Sequence, residues 1–122
     1  MNGADLDDAN LTDANLTEAV LTGANLTEVD LSGANLTDAN LTEADLSWAN
    51  LTWANLFGVV LNGADLDDAN LHGAILAGTN LTEADLTGAN LTGAYLTDAN
   101  LDDVIGADLS GAFNVPREYV KD

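Results

Sequence analysis

The chain has no cysteine, a single proline, only two basic residues and few aromatics, 5% of its 122 positions. Without thiols there is no disulfide framework and no thiolate nucleophile or metal ligand. Arg117 and Lys121, both near the C-terminus, are the only basic residues against 21 acids, giving a formal net charge of -19. Direct binding to nucleic-acid phosphates or to an anionic membrane is disfavoured by that balance. No apolar run has the length of a membrane span, and the N-terminus carries neither a basic segment nor an apolar leader core. The expectation is a soluble, cytoplasmic protein, or one trimmed of an export signal. Disorder is excluded by composition, since 47% of residues are hydrophobic and the mean hydropathy is +0.05, too apolar for an unfolded acidic chain.

What the sequence does have is a period. Leu stands at position 6 and at every fifth residue to position 101, twenty times without a miss. Two residues before it lies Ala in 17 of the 20 repeats, the exceptions being Val29, Val59 and Thr79, and the residue just before it is Asn or Asp in 16. After it comes most often Thr, then commonly Gly, Asp or Glu, so the repeat reads A-(N/D)-L-(T/S/D)-(G/D/E). A helix turns about 100° per residue, so a five-residue step scatters the Leu side chains around the cylinder and leaves no apolar stripe. In one continuous strand the odd step sends alternate Leu residues to opposite faces. The pattern closes only if each repeat is a short extended piece, Ala in, Asn or Asp out, Leu in, followed by a corner over the next two residues. Gly at eight of the twenty second-corner positions suits a bend with positive φ.

Residues 4–103, carrying this tandem, closely resemble the pentapeptide-repeat proteins, a family common in cyanobacteria whose signature is A-(N/D)-L-x-x. The resemblance implies an all-β fold, a right-handed quadrilateral β-helix of four repeats per coil, with the central Leu and the residue two before it inside. Twenty residues per coil give five coils, and stacking at about 4.8 Å makes the regular rod about 24 Å long. Most members of the family have no assigned activity. Those that act on DNA gyrase present an acidic rod in place of DNA, and are longer than this chain.

The ends differ. Residues 61–71 repeat residues 1–11 at ten of eleven positions, which puts Met1 where a central Leu belongs and starts the chain in register without an evident cap. After Leu101 the next centre falls on Gly106, but the A-D-L triplet returns at Ala107, Asp108 and Leu109, a register break across 104–109. The expected division is a solenoid over 1–111 and a C-terminal cap over 112–122, with Pro116 opening a turn and Phe113, Val115, Tyr119 or Val120 covering the last Leu layer.

Wrapping the chain at 20 residues per coil sorts its outward positions onto four sides. The side centred on Leu6, Leu26, Leu46, Leu66 and Leu86 carries Asp5, Asp7, Asp8, Glu28, Asp45, Asp65, Asp67, Asp68 and Asp85, nine of the 18 acids in the regular region. Acidic charge keeps a rod with open edges soluble and discourages end-to-end stacking. No calcium-loop motif accompanies these carboxylates, so no metal and no cofactor is expected. Elsewhere the rule of Asn or Asp before Leu fails at Val20, Val60, Ile75 and Tyr95. Ile75 and Tyr95 stack, Phe57 shares their side, and Trp48 and Trp53 take consecutive corners of the middle coil. Exposed aromatics of this kind are the material of interface hot spots, which makes Trp48, Trp53, Phe57, Ile75 and Tyr95 a candidate interaction patch. His72 stands alone without a Ser, Cys or second His, as a solvated surface residue does.

No catalytic residue is assigned and enzymatic activity is not expected. The function read from these features is a rigid protein-interaction or scaffold module, with a protein partner or a second copy of itself on the apolar patch. An acidic DNA mimic acting on gyrase or topoisomerase is the alternative, since 18 acids over the rod give about one charge per 1.3 Å, against about one per 1.7 Å of duplex. Ice binding by the Thr columns is more remote, because Ser32, Ser47, Phe57, Asn62, Asp67, His72 and Ala77 interrupt them.

Overall fold

The structure, a computed structural model, describes residues 3–120; the placement of Met1 as a missing central Leu lies outside the described residues. Its architecture follows from where five backbone N–H groups per repeat go. In the five residues from Asn50 to Ala54, Asn50 donates to the Val29 carbonyl of the preceding coil at 2.9 Å and Leu51 donates to Asn70 of the following coil at 2.7 Å. Trp53 donates to His72 of the following coil at 2.9 Å, and Ala54 closes the corner onto Leu51 at 3.0 Å. The fifth donor, Thr52, is met by its own neighbour: Oδ1 of Asn50 accepts the Thr52 N–H at 3.0 Å and its hydroxyl at 2.6 Å. Every donor of the repeat therefore has a partner, which a buried or half-buried backbone requires. The same side-chain clasp recurs from Asn10 with Thr12 to Asp108 with Ser110, and it is the physical reason for Asn or Asp before Leu.

Each corner is a β-turn closed by the Ala N–H on the Leu carbonyl, with positive φ at its third residue, the mark of a type II turn. All twenty second-corner positions are left-handed, the eight glycines and also twelve residues with side chains, from Asp8 (φ 58°) to Asp103 (φ 59°). The bend read from glycine alone is thus a property of every repeat. Four corners make a square. Asp5 pairs in parallel with Asn25, Asn25 with Asp45, Asp45 with Asp65, Asp65 with Asp85 and Asp85 with Ile105, and the other three sides stack with the same 20-residue offset as far as Tyr95 and Asn100. Each side contributes one bridging residue rather than a strand, and the one helical turn among the described residues is the 3-10 turn Arg117–Tyr119.

Inside, the Leu column is sealed from Leu21 to Leu101, with the Ala residues filling the space beside it. Burying each Leu contributes about 1.5–3 kcal/mol. Val29 and Val59 stand in for Ala without exposure, and Thr79 is accommodated because its hydroxyl donates to the Leu56 carbonyl at 2.8 Å. At the N-terminal end Ala4, Leu6, Ala9, Leu11 and Leu16 are only half-buried, as the outermost described layer of a stack is.

At the other end the register break is a two-residue deletion. Ile105 keeps the 20-residue offset from Asp85, whereas Phe113 bridges Tyr95 with an offset of 18. The corner glycine shifts by one residue, since Gly93 donates 18 residues ahead to the Gly111 carbonyl at 2.8 Å where Gly73 donates 19 ahead to Thr92 at 3.0 Å. This corrects the expectation for Phe113 and Val120. Neither lies over the last Leu layer: Phe113 is 51% exposed and Val120 54%. Val115 and Tyr119 do pack against the core, with Val104, Ala107, Leu109 and Ala112. The Tyr119 hydroxyl is anchored by donating to Asp102 Oδ1 at 2.6 Å, and Asp102 holds the phenol above its ordinary value of 10.0.

Candidate functional site

The repeat reserves two outward positions per side for polar residues, and on the third side, centred on Leu16 through Leu96, Phe57, Ile75 and Tyr95 stand there instead. Going down the column before Leu, Asn55 is followed by Ile75, Tyr95 and Phe113, joined by successive parallel bridges. The rings of Tyr95 and Phe113 lie 5.2 Å apart at 37°. In the column after Leu, Phe57 is followed by Ala77 and Thr97, and the corner beyond holds Gly58 and Gly78. A ridge of large side chains therefore runs beside a trough of small ones. Trp53 projects from the corner that leads onto this side. Its ring lies over Gly73, where an added Cβ would sit 2.5 Å from the indole, and meets His72 edge-on at 5.3 Å. Exposure is 64% for Trp53, 51% for Phe57, 39% for Ile75 and 44% for Tyr95.

The five expected patch residues are not all brought together. Trp53, Phe57, Ile75 and Tyr95 share one side and its corner, whereas Trp48 stands one corner back, between Glu28 and Asp68 in its column. Phe113 joins the ladder in its place. Strict counting in twenties sends Phe113 to the glycine corner below Gly93; only the shifted triplet reveals it, because Phe113 stands four residues after Leu109 as Tyr95 does after Leu91.

The opposite side of the square carries the acidic set. Asp45, Asp65 and Asp85 are consecutive bridge partners, above them Asp5 takes a hydrogen bond from Nδ2 of Asn25 at 3.2 Å, and Ile105 ends the column. Asp8, Glu28 and Asp68 are left-handed corner residues. Carboxylate oxygens of Asp65, Asp67 and Asp85 all fall within 4.8 Å of one another. Asp85 accepts the Thr87 hydroxyl at 2.6 Å and its N–H at 3.0 Å, which holds it below the usual carboxylate range. Asp67 has an enclosed Oδ1 that meets no donor. Contact with the Asp85 carboxyl, its own partial burial and the charge of Asp65 push Asp67 up to about 6. Of the two carboxyls Asp67 is therefore the one that takes up a proton first, as pH falls through about 6. Asp7 is raised for the same reason, through Asp5.

Most of the Thr hydroxyls along the coil donate to their own Asn or Asp, as Thr37 does to Asn35 at 2.6 Å, and are held in that clasp. His72 lies half-buried against Trp53 with its N–H bonded to Asn70 at 3.0 Å. No helix among the described residues is long and apolar enough to cross a membrane.

Comparison with known proteins agrees with this geometry. The Pentapeptide repeats family matches in 8 copies over residues 4–42, 19–58, 44–82, 64–103 and 74–113. A pentapeptide repeat protein from the cyanobacterium Cyanothece 51142 is similar in structure with a TM-score of 0.76 and 32% identity, over 87% of this chain and 90% of that one. A second, from the Arabidopsis thaliana thylakoid lumen, has a TM-score of 0.66 and 35% identity, over 70% of this chain and 61% of the other. The plasmid-mediated fluoroquinolone resistance protein QnrB1, in a trypsin-treated form, shares the fold at 20% identity and a TM-score of 0.53, over 95% of this chain and 66% of its own. A search of curated proteins gives no match. The twenty-fold A-(N/D)-L repeat, the square coil and these likenesses place the chain in the pentapeptide-repeat family.

Proposed function

We propose that this protein is a non-catalytic protein-interaction module, a stiff coil whose third side is its binding surface. The observation that carries the reading is the continuous ladder of Ile75, Tyr95 and Phe113, flanked by Phe57 and Trp53, on positions where the repeat elsewhere places Asn, Thr or Gly. Exposed apolar groups joined in this way make a patch, unlike scattered ones, and patches of that kind mark interaction sites. Between Asp38 and Asp98 that side bears no charge, in a molecule with 21 acids.

The test returns the patch to the repeat consensus with Phe57→Thr, Ile75→Asn and Tyr95→Asn, changes the coil tolerates at other positions. Proteins retained by the wild type on an affinity column should be lost with this triple variant, while circular dichroism stays the same. Equal retention by both would remove the reading.

The acidic side supports a second reading, imitation of a DNA rod, on the strength of its carboxylate density. Asp45→Asn, Asp65→Asn and Asp85→Asn would then abolish binding where the aromatic variant does not. An absence of effect on gyrase supercoiling at micromolar protein would dispose of it.

A further inference from the structure

We infer that the occupant of the apolar side is a second copy of this chain, pairing side to side about a two-fold axis that runs parallel to the two rods. The inference rests on the interaction-surface reading above and names its partner.

Charge comes first. The nine-acid side, centred on Leu6 through Leu86, lies directly across the square from the side centred on Leu16 through Leu96. Contact between two apolar sides therefore sends the two acidic sides to the outer extremes of the pair. No other pairing of sides separates them as far. For two bodies of charge -19, this is the approach of least repulsion. A basic partner, by contrast, would be drawn to the acidic side and not to this one.

Shape selects the direction of the axis. A two-fold axis along the rods exchanges left for right and keeps height, so the Ile75, Tyr95 and Phe113 ridge of one copy lies over the Ala77 and Thr97 trough of the other. At the level of the middle coil the same operation sets Trp53 opposite Gly58 of the second copy, a large side chain against none. Asp98, the one acid at the lower edge, then faces the Gly93 corner and not its own equivalent. An axis across the rods would instead stack ridge on ridge. Because one patch serves both copies, the contact is isologous and closes at two.

Size sets the strength. An aromatic side chain offers about 150–250 Å², and roughly half of each remains exposed, so the ladder with Trp53 and Phe57 supplies on the order of 500 Å² per copy. Two copies bury about 1,000 Å², the lower limit for a specific interface. The pair is accordingly weak and concentration-dependent.

Sedimentation equilibrium over a wide range of protein concentration, repeated from about 0.05 to about 1 M NaCl, reads the prediction directly. The expected result is a monomer–dimer equilibrium that tightens with salt, because screening removes the repulsion between acidic sides while the apolar contact persists. Dilution should move the backbone amide resonances of Trp53, Ile75, Tyr95 and Phe113 and leave those of Asp45 and Asp65 in place. The consensus triple variant should dissociate on the order of thirtyfold more readily or worse. Ala77→Asp is the second variant, since the same repeat position carries Asp at Asp7, Asp67 and Asp102 without harm to the coil; it should also leave a monomer. A monomer throughout, an association that salt weakens, or one that survives both variants overturns the pairing. If the wild type is monomeric and the triple variant still loses a captured protein, self-pairing is wrong and the surface serves another partner; if neither changes, both readings fall.

Discussion

At the scale of the residue, the repeat imposes one conformation on every fifth position and lets the side chain vary. Left-handed φ is natural for Gly and tolerable for Asp, but for a bulky residue it costs about 1–2 kcal/mol. Trp48 and Trp53 hold φ of 62° and 61° while remaining mostly exposed. Their burial offsets little of that strain. Trp48→Gly should therefore raise stability by about 1 kcal/mol, measured as a later urea midpoint at unchanged slope; a loss of stability would mean that the Trp48 ring packs on the coil more than its exposure indicates. The position before Leu is governed differently, by the clasp on the following N–H. Asn50→Val reproduces what the chain already does at Val20 and Val60 and strips the Thr52 N–H and hydroxyl of their acceptor. It should cost about 1 kcal/mol and speed hydrogen exchange at the Thr52 amide.

The element of this fold is the coil, which cannot bury its Leu layer alone and borrows its neighbours on both sides. Leu56 is sealed between coils, so Leu56→Ala should destabilise by about 2–5 kcal/mol. Leu11 belongs to the half-buried first layer, and Leu11→Ala should cost well under half as much, with calorimetry of the two variants side by side as the check. Equal losses would show that the first layer is covered in solution. Coil, side and core were all legible in the sequence, because the five-residue spacing of Leu demands a corner in every repeat and the resemblance to the pentapeptide-repeat family implies four such repeats per coil, hence the 20-residue wrap. The acidic side was legible for the same reason. Glycine made the bend visible at eight corners, but the twelve other left-handed corners, from Asp8 to Asp103, had no sign in composition, because backbone geometry there is imposed by neighbouring coils rather than by the residue. Phe113 was misplaced because counting assumes constant period. The chain drops two residues between Ile105 and Ala107, and that deletion turns a supposed core lid into the last rung of the surface ladder. Trp48 and Trp53 were already read as consecutive corners, and the square shows that the corner of Trp48 lies away from the side that carries Phe57, Ile75 and Tyr95.

For the whole molecule the decisive quantity is how charge is distributed around the rod, and its dependence on pH has a sign that can be worked out. Asp67 sits at about 6 in the folded chain against an ordinary value of 3.8, raised by Asp85, burial and Asp65. The folded state therefore binds a proton that the unfolded state does not between those two values, so stability rises as pH falls from about 7 through 6 toward 3.8. Asp7, raised by Asp5, adds to the same trend. Asp30, Asp85 and Asp108 behave in the opposite way. Hydroxyl and N–H donors from Ser32, Thr87 and Ser110 hold them below 3.8, so their contribution is present above 3.8 and disappears as pH drops further through their lowered values. The two sets place the stability maximum near 3.8, at the foot of the Asp67 limb and above the loss from the lowered carboxylates. A series of thermal melts from pH 3 to pH 8 should trace that maximum. In Asp67→Asn, which keeps the shape and removes the titration, the limb between 6 and 3.8 should flatten while the steep loss below 3.8 remains; an unchanged upper limb would show that general charge repulsion, and not the Asp67 contact with Asp85, sets the slope.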